Sequence, residues 1–82
     1  MVDLNRAVAV SMAVGPASGL RIVDQLASDG ALRGSYLLPS VRGELLAQLG
    51  RTEEARSELT TAVNLVGNEQ TRAVLLGKIA EL

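Results

Sequence analysis

Two stretches of this chain carry small residues at spacings that only a tightly packed pair of helices requires. The clearer one reads Gly43-x-x-Leu46-x-x-x-Gly50-x-x-x-x-Ala55-x-x-x-Leu59-x-x-Ala62. A Gly in one helix and an Ala in the next leave room for a neighbouring backbone, while Leu46 and Leu59 fill the seam between them. Gly50 has a counterpart 35 positions earlier, Gly15, so the chain holds two helix hairpins about one repeat length apart. Units of this kind stack on their neighbours and serve as scaffolds for binding more often than as enzymes.

Five helices follow from the pattern. The first spans Leu4 to Val14 with Asp3 as its cap. Its run Ala7-Val8-Ala9-Val10 predicts burial on more than one face. Gly15-Pro16 ends it, and the second helix runs from about Ala17 to Ser28 with Leu20, Val23, Leu26 and Ala27 as its apolar face. Asp29-Gly30-Ala31-Leu32-Arg33-Gly34 reads as the loop between hairpins. The third helix, from Tyr36 or Leu38 to Leu49, takes Pro39 in its first turn. Gly43 lies in its interior, where a glycine costs about 1 kcal/mol unless another helix approaches closely. Thr52 caps the fourth, with Ala55, Leu59, Ala62, Val63 and Val66 inside. Asn68 caps the fifth, with Val74, Leu75, Ile79 and Leu82 as its apolar set.

Composition narrows the function. The 82 residues make one small domain, 1–82, and a hydrophobic fraction of 48% with mean hydropathy +0.25 favours a filled helical core or a surface meant to be covered. A net charge of −1 argues against direct binding of nucleic acid, which needs a basic surplus. No Cys or His is present, which removes thiolate sites, the commonest metal ligand and the commonest general base. No metal, cofactor or catalytic activity is therefore expected. No apolar run is long enough for a membrane span and no signal peptide is visible, so a cytoplasmic location is the expectation. Glu53-Glu54 are adjacent and point about 100° apart, which suits support of a helix dipole rather than acid–base work. The serines have no His to activate them, and Lys78 is the only lysine.

The segment Leu45 to Ala55, Leu-Leu-Ala-Gln-Leu-Gly-Arg-Thr-Glu-Glu-Ala, is similar to the consensus of the tetratricopeptide repeat (TPR). The first hairpin matches less well, with Leu20 standing where Ala55 stands in the second. The resemblance implies an all-α helix-hairpin solenoid of TPR type, about two hairpins and a capping helix, with the first helix of each hairpin lining a concave face. Aligned on Gly15 and Gly50, that face takes Asn5, Ala9 and Met12 from the first hairpin and Ser40, Glu44 and Ala47 from the second. Asn5 would be placed to hydrogen-bond an extended peptide, or would make a local bond. Arg6, Arg42, Arg51 and Arg72 form either a basic rim or pairs with neighbouring acids, and Met12 and Tyr36 are expected as packing residues.

A narrower resemblance covers nearly the whole chain. Leu4-Asn5-Arg6-Ala7-Val8-Ala9-Val10, Gly15-Pro16-Ala17-x-Gly19-Leu20, Tyr36-x-Leu38-Pro39, Arg42-x-Glu44-Leu45-Leu46 with Leu49-Gly50-Arg51, Gly67-Asn68-Glu69 and Glu81-Leu82 occur in that order. Together they resemble the TPR-like C-terminal extension of a group of bacterial extracytoplasmic-function (ECF) sigma factors. That resemblance implies a fragment of a longer sigma factor, Met1 being an added start. It also implies a regulatory domain whose partners are the sigma core regions, RNA polymerase or another protein. A self-associating module and a small-molecule sensor are the alternatives.

Overall fold

A computed structural model describes residues 4–30 and 32–82. They form α1 (Leu4–Val14), α2 (Pro16–Ser28), α3 (Leu37–Gln48), α4 (Thr52–Leu65) and α5 (Glu69–Ala80), with no strand among the described residues. The chain is all-α. Each helix packs on its successor, and α3 also reaches back to α1.

The turns are built by local chemistry. Pro16 opens α2, where its missing N–H is no loss, and Gly15 before it takes φ 121°. The α3–α4 turn is a Schellman motif. Gly50, at φ 78°, donates its N–H to the Ala47 carbonyl, and Arg51 donates to that of Leu46. The Asn68 side chain accepts from the Thr71 N–H at 2.9 Å and so caps α5. Between the hairpins Leu32 takes φ 58°, a strained conformation for a bulky residue.

Three expectations need correction. Thr52 is the first helical residue of α4 rather than its cap; Arg51 precedes it and no side chain caps that end. Ala27 and Val74 are exposed, because α2 and α5 each bury one stripe and these two sit outside it. Helix α1 buries Ala7 alone, and Val8, Met12 and Val14 reach solvent, since α1 packs on one side only, against α2 and α3. The proposed Asp3 cap and Ala31 of the loop lie outside the described residues.

The core runs through both hairpins. Ala7, Leu20, Val23, Leu45, Leu46 and Ala55 form one cluster; Leu59, Ala62, Val66 and Leu75 form the other, and Leu82 packs against both. Leu46 and Leu59 are fully buried, each contributing about 2 kcal/mol of burial.

Within each hairpin the helices meet at a Gly–Ala crossing. A Cβ on Gly43 would lie 2.8 Å from Cγ of Leu59 and 3.3 Å from the Ala55 carbonyl oxygen. A Cβ on Gly19 would lie 2.6 Å from Cβ of Ser11 and 2.8 Å from the Ala7 carbonyl oxygen. The two crossings are reciprocal: Ala7 on the first helix with Gly19 on the second, then Gly43 on the first with Ala55 on the second. Ala7 and Gly43 are 36 positions apart, as are Gly19 and Ala55. The structural counterpart of Ala55 is therefore Gly19 and not Leu20, which is itself a buried core residue.

Gly77 gives an internal control, because nothing lies within 4 Å of a Cβ built on it. Gly77→Ala should stabilise the fold by about 1 kcal/mol through helix propensity. Gly19→Ala should destabilise it by about 1–3 kcal/mol, the overpacking outweighing that gain. Urea denaturation followed by circular dichroism measures both.

Candidate functional site

Helix α3 borders three grooves among the described residues. Between α1 and α3 lies one of about 350 Å³, lined by Val8, Ser11 and Met12 on one side and Val41, Glu44, Leu45 and Gln48 on the other. Met12 is 83% exposed and Val8 38%, so this groove presents two apolar side chains to solvent at its α1 side. The Ser11 hydroxyl is spent within the helix, donating to the Val8 carbonyl at 2.7 Å. A second groove of about 260 Å³ separates α3 from α5 and is lined by Glu44, Ala47, Leu59, Lys78, Glu81 and Leu82. Glu44 stands on the ridge between the two and pairs with Lys78 of α5.

On the opposite side a recess of about 410 Å³ holds Leu32, Leu38 and Leu65 around an ion-pair triad. Arg42 donates from Nε to Asp24 of α2 and from Nη1 to Glu58 of α4, each at 2.8 Å. Its guanidinium holds its proton more firmly than usual, chiefly through the hydrogen bond to Asp24 and against the opposing effect of burial. Arg51 grips Glu54 with two hydrogen bonds, at 2.7 and 2.9 Å, which hold that carboxyl below the usual carboxylate range. Arg72 pairs with Glu69 and donates to the Val66 carbonyl, tying the end of α4 to α5. Arg42, Arg51 and Arg72 are thus turned onto local acids and carbonyls. The surface offers shape and apolar area more than free positive charge.

The structure brings together part of the site read from the sequence. Met12 and Glu44 share the α1–α3 groove, and Glu44 and Ala47 share the next. Asn5 and Ala9 are exposed on α1 and line neither groove, nor does Ser40. Asn5 has no side-chain hydrogen bond among the described residues. Met12 is a surface residue rather than core filler, while Tyr36 does pack, against the second cluster. Val8, Ser11, Val41, Leu45 and Gln48 are the lining residues of the α1–α3 groove that the sequence reading missed. The Gly–Ala crossings carried the needed signal: a shift of 36 pairs Val8 with Glu44 and Ser11 with Ala47, where the turn glycines give 35. Among the described residues no cluster of acids has the makings of a metal site. No helix is long and apolar enough to cross a membrane.

No protein-family model matches the chain, and no solved structure matches it. An uncharacterized protein of Rhizobium meliloti (strain 1021) is 41% identical over 75 residues, covering 92% of this chain and 17% of that protein. The chain thus spans about a sixth of the length of the relative it matches.

The Arg42 triad links three helices; Arg42 and Glu58 are about a quarter exposed and Asp24 about half, whereas both members of the Lys78–Glu44 pair are about two-fifths exposed and screened. Arg42→Ala is expected to lower stability by about 1–2 kcal/mol and Lys78→Ala by less than about 1 kcal/mol. In the Arg42→Ala background, Asp24→Asn should add little. Chemical denaturation of the three variants checks this.

Proposed function

We propose that this chain is a TPR-like regulatory domain of an ECF sigma factor, non-catalytic, which modulates transcription initiation by binding protein through the face shared by α1 and α3. The single observation that carries the binding mode is the α1–α3 groove, where exposed Met12 and Val8 stand opposite Val41, Glu44 and Gln48. It offers apolar anchors beside a carboxylate and an amide, the mixture that a protein segment recognises.

The repeat class is supported by successive packing of the five helices, the return contact of α3 on α1 and the reciprocal Gly–Ala crossings. The sigma-factor reading rests on the ordered motifs from Leu4-Asn5-Arg6 to Glu81-Leu82. A relative much longer than the matched region is in keeping with a module that works as one element of a larger polypeptide. Its partners would be the sigma core regions or RNA polymerase. With Arg42, Arg51 and Arg72 locally paired and a net charge of −1, direct contact with nucleic acid forms no part of the reading.

The test is a titration of the labelled domain with the purified sigma regions of its own parent protein, with and without core RNA polymerase. Saturable binding is expected, weakened roughly tenfold or more when Val8→Lys and Met12→Lys place charge in the groove. Both side chains are exposed, so the fold should survive. Absence of binding to either target, or binding indifferent to the two lysines, would overturn the proposal.

A further inference from the structure

Among the described residues, Glu44 is the one charged side chain lining the α1–α3 groove. Around it stand Val8, Met12, Val41 and Leu45, with the Gln48 amide one turn further along α3. A carboxylate set among apolar side chains loses its water when the groove is covered, so it favours an occupant that brings a cation of its own. In the free domain that carboxylate already has a partner. Lys78 of α5 reaches it from the other side of the ridge and pairs with Oε1, while Oε2 accepts no hydrogen bond among the described residues.

Lys78 has a second carboxylate within its range. Glu81 lies three positions along the same helical turn, lines the same α3–α5 groove and makes no side-chain ion pair among the described residues. A lysine is a point charge on a flexible stem, and both members of the present pair are 39% exposed, so an exchange of partners costs little. Helix α5 does not depend on the pair for its place, because Leu75 and Ile79 pack in the second core cluster. We propose, resting on the reading of the α1–α3 groove as the protein-binding face, that Glu44 selects a partner segment carrying an Arg or Lys between apolar side chains, and that Lys78 masks Glu44 until that segment arrives. On binding, the incoming cation takes the Glu44 carboxylate and Lys78 turns to Glu81. The two members of one ion pair then act on affinity in opposite directions: loss of Glu44 weakens binding, and loss of Lys78 strengthens it. A pair that merely braced the fold would move affinity the same way from either side.

The test repeats the titration with the purified sigma regions and core RNA polymerase on Glu44→Gln, Lys78→Gln and the double variant, at low and moderate salt. Glu44→Gln should weaken binding roughly three- to tenfold and reduce its salt dependence. Lys78→Gln should strengthen binding roughly two- to fivefold, and should have little effect once Glu44→Gln is present. Circular dichroism checks that each variant is folded, as the exposure of both side chains leads one to expect. Binding that Val8→Lys and Met12→Lys weaken but Glu44→Gln does not overturns the role of Glu44 and leaves the groove itself standing. Weakening by Lys78→Gln also overturns it and makes the pair a structural brace. Strengthening by Glu44→Gln overturns it by assigning the groove to an acidic segment. Absence of binding, or binding indifferent to the two groove lysines, removes the groove reading and the role of Glu44 together.

Discussion

Everything in this fold depends on two helix crossings close enough to exclude a methyl group. At each, one helix gives up its side chain so that the other's backbone can approach, and the leucines around the crossing then close the core. The choice of which helix carries the glycine alternates between the hairpins. That alternation shows the requirement to be one of summed volume at the crossing, not of a residue at a fixed place. With no Phe or Trp in the chain, nothing bulky is present to fill a wider gap. Short separations are how a core of Leu, Val and Ala reaches the density a small domain needs.

The same crossings decided what was legible in the sequence. The helices were readable because Gly15-Pro16, Gly50 and Asn68 are punctuation with a local mechanism, and the interior of Gly43 implied a close neighbour that Leu59 and Ala55 supply. Burial around α1 was not readable. Ala7-Val8-Ala9-Val10 looks like a helix covered on several sides, and whether it is covered depends on what packs against it, which periodicity does not encode. Thr52 looked like a cap because residue type and position both fit. The Schellman turn at Gly50 instead brings the chain into α4 directly, with Arg51 before it.

The candidate groove was half legible for a related reason. Aligning the hairpins by their turn glycines puts the register one residue away from the one the crossings set. One residue on a helix is a rotation of about 100°, enough to exchange Ala9 for Val8 as the neighbour of Glu44. Ion pairing was the other hidden variable. Arg42, Arg51 and Arg72 read equally well as a basic rim or as local partners of acids, and only three-dimensional placement brings Asp24 and Glu58 to the two sides of one guanidinium.

That guanidinium has a mechanical consequence. Arg42 rides on α3, the helix bordering the three grooves described, and is pinned on one side to α2 and on the other to α4. Glu44, two residues along the same helix, is anchored to α5. Helix α3 is therefore moored like an axle between three supports. An occupant that displaces α3 itself must break one of these ion pairs or carry α2, α4 or α5 along with it.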